Sequence, residues 1–258
     1  MPHSVSPQSA GAKPLALGIA AALSLGVISA LPGLAEAADI PLDPAPAPAP
    51  FIEDRVASTF SRFGPYIGAR GGFAFAEDTD FRIAGPTTVT NQYEDWDLSG
   101  SVFAGWQTTL FSGLTGRVEA ELGYSDFTVE RHVAGGVGLA GSTGDTTALF
   151  GAVNAYVDAE LGQWRPFAGI GLGIADVTFD QHGAAGPGIV MDDSDNAFLW
   201  QVSGGLGYDL TENLTLEGLV RYQSIMDVEL TSTPASGSVG SSTDLSSTSA
   251  QVGLRYGF

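Results

Sequence analysis

Eight stretches of alternating apolar and polar residues are joined by links that are short and long in turn, and the alternation runs down to the last residue, Phe258. Together these features predict an all-β chain, an eight-stranded antiparallel up-and-down transmembrane β-barrel. In a strand, successive side chains point to opposite faces, so strict alternation gives one apolar face and one polar or small face. An even strand count returns both barrel ends to the same side of the membrane.

The strands are taken in chain order. Residues 64–77 set Ile67, Ala69, Phe73 and Phe75 against Tyr66, Gly68 and Arg70. Residues 96–109 set Leu98, Val102, Ala104 and Trp106 against Asp97, Ser99, Ser101 and Gln107. Residues 114–129 oppose Leu114, Val118, Ala120, Leu122 and Tyr124 to Arg117, Glu119 and Glu121. Residues 147–161 oppose Leu149, Val153, Ala155 and Val157 to Asn154, Asp158 and Glu160. Residues 166–178 place Ile170, Leu172 and Ile174 opposite Gly169, Gly171 and Gly173. Residues 197–210 place Phe198, Trp200, Val202, Leu206, Tyr208 and Leu210 opposite Gln201, Ser203 and Asp209. In residues 214–230, Leu214, Leu216, Val220, Tyr222, Met226 and Val228 share one face, and Thr215, Glu217, Arg221, Gln223, Asp227 and Glu229 the other. In the last strand Ala250, Val252, Leu254, Tyr256 and Phe258 oppose Ser249, Gln251, Gly253, Arg255 and Gly257. Leu199, Phe103, Leu219 and Ile225 fall in the polar phase, where they would fill lumen space.

The short links are 111–113, 162–165 and 211–213, and the long ones about 78–95, 131–146, 180–196 and 231–246. Short periplasmic turns and long external loops are the topology of a membrane barrel. The Ser/Gly/Thr-rich 231–246 reads as a mobile loop. Aromatics gather at both strand ends, as two interfacial girdles require. Phe75, Trp96, Phe198 and Trp200 would lie on the outer side, and Trp106, Trp164, Phe167, Tyr208, Tyr256 and Phe258 on the periplasmic side.

Composition agrees. Charged residues are 15% of the chain, against about 25% in an ordinary soluble domain. There are 35 glycines and no cysteine, which excludes disulfides and thiolate metal sites. The formal charge is −19, and Lys13 is the single lysine. With no basic patch to meet a phosphate backbone, nucleic acid is excluded as a partner.

Residues 1–37 read as a signal peptide. Lys13 supplies positive charge, Leu15 to Leu31 is uncharged and apolar, and Pro32-Gly33 breaks it before the small-x-small site Ala35-Glu36-Ala37. Residues 38–63 read as a periplasmic linker. Its Pro/Ala run (PLDPAPAPAP) favours an extended polyproline spacer, and 51–63 is either a short amphipathic helix or an irregular lead-in. The barrel proper is 64–258.

A soluble barrel would bury its apolar face around a ligand. Here one face carries Arg70, Arg117, Glu119, Glu121, Asp158, Glu160, Glu217, Arg221 and Arg255, four cations and five anions. Such a set makes a poor ligand cavity but a good paired lumen, with the apolar face toward lipid. Arg70, Arg117, Glu119, Glu121, Glu217, Arg221 and Arg255 are the expected ion-pair network.

The ending Gln251-Val252-Gly253-Leu254-Arg255-Tyr256-Gly257-Phe258 resembles the C-terminal assembly signal of outer-membrane proteins, which implies that Gly253, Tyr256 and Phe258 are read by the barrel-assembly machinery. Gly64-Pro65-Tyr66-Ile67-Gly68 resembles the first strand of the opacity-protein and OmpA-like transmembrane barrels. The Ala-Ala-Asp start with its Pro/Ala spacer is similar to porin-like surface antigens of α-proteobacteria. The resemblance covers about 60–258 and implies the outer membrane of a Gram-negative cell, with lipid and lipopolysaccharide as surroundings and host or surface ligands at the loops.

The residues suggest three chemistries. The lumen charges fit a pore or an ion-paired plug, and eight strands enclose a space that side chains just fill, which favours the plug. The acidic residues Glu77, Asp78, Asp80, Glu94, Asp95, Asp97, Asp192, Asp193 and Asp195 match no calcium-loop spacing and read as solvated loops. His132 and His182 fall in external loops, where a lipid A-modifying enzyme would carry its base, but no catalytic or haem-binding motif accompanies them. The expected function is therefore non-enzymatic, with no cofactor or metal: envelope structure and surface interaction through four long external loops, with a narrow porin as the alternative.

Overall fold

The computed structural model describes residues 63–258, apart from 85–86, 95, 186–187 and 234–236. The expected signal peptide, and all of the expected linker but Phe63, lie outside the described residues. Eleven strands form: β1 (Gly64–Ala76), β2 (Thr79–Ala84), β3 (Thr87–Tyr93), β4 (Asp97–Phe111), β5 (Leu114–Ala134), β6 (Val137–Gly138), β7 (Thr143–Ala159), β8 (Trp164–Ala184), β9 (Gly188–Asp209), β10 (Leu214–Ser232) and β11 (Val239–Gly257). Eight of them close a ring in the order β1-β4-β5-β7-β8-β9-β10-β11, every pair antiparallel. Closure is made by β11 on β1, from Tyr66 opposite Gly257 to Ala76 opposite Ser247. Closure satisfies every ladder and leaves no sheet edge in hydrocarbon.

Two of the remaining strands extend the wall upward, β2 following β1 beside β11 and β3 preceding β4 beside β5. β2 and β3 form a hairpin whose β3 side pairs with the upper end of β5, Asn91 opposite His132, and β6 adds a short pairing on β5. This corrects the loop reading. Most of the four long links is strand: β5 runs to Ala134, β8 to Ala184, β9 starts at Gly188, and β11 starts at Val239 inside the supposed mobile loop.

The wall has two zones of opposite polarity. In the lower zone the outward side chains are apolar and exposed, including Ile67, Val102, Val118, Val153, Ile170, Leu172, Val220 and Val252. The inward ones there are buried and polar, including Arg70, Glu119, Glu121, Asn154, Gln201 and Arg221. Above Phe75, Tyr124, Phe198 and Trp200 the order reverses. Phe127, Val129, Ala148, Ala175, Val177, Phe179, Leu199, Val228, Leu230 and Leu245 point inward and pack with Phe81, Val89 and Tyr93 of the hairpin into one buried core. Glu130, Asp145, Asp176 and Asp180 point outward and are exposed, and Asp126 is half-buried. The lower zone is built for lipid outside and the upper zone for water.

Large lumenal rings sit on strands opposite glycine. Tyr156 pairs with Gly169 and Phe150 with Gly123, and a Cβ on either glycine would strike the ring directly across. Glycine lets a ring lie flat on the neighbouring strand and fill a narrow lumen.

Two faces differ from the sequence expectation. Phe167 points into the lumen, buried and edge-on to Tyr156 at 5.8 Å, so it belongs to no girdle. On β10, Met226 and Asp227 together oppose Asp244, and Asp227 has a φ of 56°. That bulge shifts the phase by one residue, so Val228 is buried while Asp227 and Glu229 are exposed. Above Met226 the β9–β10 ladder lapses until Ser232 meets Met191. There the Asp195 and Asp193 carboxylates accept the backbone N–H groups of Glu229 and Thr231, each at 2.8 Å.

Candidate functional site

The lower lumen holds four buried arginines and four buried carboxylates from five strands of the ring. Arg70 on β1 pairs with Glu119 on β5. Arg117 on β5 reaches Asp158 on β7 at 3.0 Å and crosses to Glu217 on β10 at 3.4 Å. Arg255 on β11 reaches Glu217 at 3.2 Å and Asp158 at 3.6 Å. Arg221 on β10 crosses to Glu121 on β5 at 2.9 Å. Glu121 also accepts from Asn154 at 2.7 Å and Gln201 at 3.3 Å. The structure thus brings all seven expected lumen residues together and adds Asp158, which sequence periodicity had placed on the same face. All eight are at most 6% exposed.

The reason is geometric. Charges in phase on different strands of a narrow ring must meet, and burial makes pairing obligatory because an unpaired buried ion is costly. Aromatic faces complete the packing: Arg70 lies 3.9 Å from the Phe103 ring centroid and Arg117 4.6 Å from that of Tyr156.

Glu160 does not join this network. It lies at the lower rim, where Arg165 stands 3.5 Å from it and 2.7 Å from Asp209. Sequence reading had assigned Arg165 to a turn, yet its phase with Phe167 and Gly169 was a usable signal that it points inward.

The two histidines occupy neither loops nor the surface. His132 on β5 and His182 on β8 are buried in the upper zone, ring centroids 5.6 Å apart. The Asn91 amide lies between them, 2.7 Å from His132 Nδ1 and 3.3 Å from His182 Nδ1. Burial pushes both rings below the usual imidazole range, His182 to about 4. A base so enclosed cannot meet a lipid headgroup. The acidic residues of the upper zone stand mostly exposed, and among the described residues no group of three or more metal-ligating side chains converges. Asp97, like Asp193 and Asp195, is half-buried, and it accepts the Thr128 N–H at 3.3 Å.

At the chain end, Tyr256 and Phe258 are exposed on the outer wall with rings 5.4 Å apart, edge to face. Gly253 is pressed against the β1 backbone at Ala69 and Arg70. The Phe258 N–H donates to the Pro65 carbonyl at 3.2 Å, so the last residue helps to close the ring.

Solved structures similar to this chain include two outer-membrane or surface proteins. Neisserial surface protein A is 17% identical, with a TM-score of 0.47 and coverage of 76% of this chain and 97% of that one. The outer membrane protein OprG from Pseudomonas aeruginosa is 16% identical, with a TM-score of 0.48 and coverage of 77% and 98%. No curated protein matches the chain. A family model described as the outer membrane protein beta-barrel domain matches residues 44–258, and the chain belongs to that family.

Proposed function

We propose that this protein is a non-enzymatic outer-membrane barrel with a plugged lumen, which contributes to envelope structure and offers its upper zone to surface contacts. The observation that carries the reading is the double filling of the lumen. An ion-paired layer runs across the lower zone, from Arg221 to Glu121 and from Arg117 to Glu217, and a buried apolar core lies over it. A hydrated ion has no path through buried paired charges, and less through packed hydrocarbon. The burial of His132 and His182 speaks against a lipid-modifying rim.

Export follows from the leader of residues 1–37, and insertion from recognition of Gly253, Tyr256 and Phe258 by the barrel-assembly machinery. Lipid and lipopolysaccharide surround the lower zone. Ligands of a host or neighbouring surface would meet the acidic upper wall.

The test is single-channel conductance of the mature chain in planar bilayers, with folding verified by heat-modifiable gel mobility. Silence from folded protein is the expected result. Reproducible steps would replace this reading with that of a narrow porin for small solutes.

A further inference from the structure

The hairpin of β2 and β3 is held in the upper zone by the β3–β5 ladder, by Phe81, Val89 and Tyr93 in the core, and by one buried polar cluster. Asn91 of β3 reaches inward and lies between His132 of β5 and His182 of β8. His132 Nε2 faces the Thr143 carbonyl at 2.8 Å. His182 Nε2 faces the Asp145 carbonyl and the Thr146 hydroxyl, each at 3.1 Å. Phe81 of β2 stands edge-on to His132 at 6.3 Å, and Phe179 of β8 lies 5.3 Å from His182.

The hydrogen-bond count of this cluster depends on its protons. With both rings neutral, the Asn91 amide can donate to His132 Nδ1 and accept from His182 Nδ1–H, and the Thr146 hydroxyl donates to His182 Nε2. One added proton is accommodated by a half-turn of the amide. His132, now an imidazolium, donates to Asn91 Oδ1 and to the Thr143 carbonyl. The Asn91 amide nitrogen donates to His182 Nδ1, and His182 Nε2–H donates to the Asp145 carbonyl. The described orientation of Asn91 is this one. A second proton has no such solution, because the amide turns its oxygen to one Nδ1 and its nitrogen to the other. His182 Nδ1–H would then confront an amide N–H in a buried site.

Among the described residues no carboxylate meets either ring. The ionisable groups nearest the cluster are the two rings themselves and Tyr93, whose hydroxyl meets Thr146 at 3.4 Å. Asp145 contributes its backbone carbonyl, and Asp80, Glu130, Arg131 and Asp180 on the adjoining strands are exposed.

We propose that His132, Asn91 and His182 form an acid-operated latch: double protonation of the pair releases the β2–β3 hairpin from the barrel and uncovers the apolar core beneath it. The sign follows from burial. In the open state the rings titrate near the usual 6.5, whereas the closed state holds His182 at about 4, partly through the neighbouring charge of His132. The open state binds more protons, so the closed state is fully favoured above 6.5 and loses ground as pH falls toward 4.

The chain has no cysteine, so spin labels can be placed cleanly. Exposed Thr88 on the hairpin and exposed Asp176 on β8 are changed to cysteine, labelled, and the distance between labels is measured in detergent from neutral pH to about pH 3.5. A second, longer distance should grow in as pH falls. His182→Gln, which hydrogen-bonds without titrating in this range, should abolish it. Asn91→Asp supplies a carboxylate that accepts from both imidazoliums, and should move the transition to lower pH. Should His182→Gln fail to fold on the gel, Asn91→Asp decides alone. An unchanged distance in the parent overturns the latch. So does the same transition in the folded variants, which would assign the opening to the surface carboxylates.

Discussion

Arg221 is fully buried, and its guanidinium faces the Glu121 carboxylate across the lumen at 2.9 Å. Nothing in the Arg221 strand alone explains it. Glu121 is its reason, and Glu121 is also met by Asn154 and Gln201. Removing one member of a buried pair leaves the other desolvated, at a cost of about 3–5 kcal/mol. Arg221→Leu should therefore lower the temperature of the heat-modifiable gel transition markedly. Arg131→Leu is the control, since Arg131 and Glu130 are both more than half exposed and 3.8 Å apart. Such a surface pair is worth roughly 0–1 kcal/mol, and its loss should leave the transition in place.

At the scale of the element, β10 shows how one residue reassigns a strand's faces. Below Ile225 the phase is the one alternation predicts, with Glu217 and Arg221 inside. Above it Val228 and Leu230 are inside, because Asp227 adds a residue against Asp244. Asp227 takes the left-handed backbone region, which aspartate tolerates better than most residues and a β-branched residue tolerates poorly. Its N–H is held by the Asp244 carboxylate at 2.9 Å. Asp227→Val should destabilise the barrel by about 1–2 kcal/mol through this φ. Asp227→Gly, free of that strain, should leave the gel transition unchanged or raise it. Equal losses in both would mean that the bulge does not depend on backbone strain.

At the scale of the whole molecule, the inversion of polarity along the wall fixes where lipid ends. Val153 on β7 is 61% exposed in the apolar belt. Asp176 on β8 lies above the belt, exposed among other acids. Arginine on a lipid face costs about 2–4 kcal/mol near the bilayer midplane and little near the interface. Val153→Arg should accordingly depress folding in bilayers, while Asp176→Arg should fold as the parent does. A matching penalty at both positions would mean that the belt reaches higher than the polarity change. Above the belt the barrel behaves as a water-soluble one, with apolar side chains inside and carboxylates outside.

The sequence by itself determined the eight strands of the ring, most faces of the lower zone and most of the lumen network. One physical constraint dictates all three: side chains alternate, and in hydrocarbon the outward set must be apolar over the full crossing. It also placed Phe103, Leu199, Leu219 and Ile225 inside, because each interrupts the polar phase. What it misread begins where lipid ends. Segments such as 180–196, with Asp192, Asp193 and Asp195 beside Met191, lose the pattern of a lipid-facing strand and look like loops. They are strands whose polarity is reversed, and only the ring could show that their apolar phase meets a common core. The histidines illustrate the same limit. His132 and His182 are fifty residues apart along the chain, on strands separated by β7. Their meeting over Asn91 was decided by the docking of the β2–β3 hairpin, a tertiary contact that leaves no mark in local alternation.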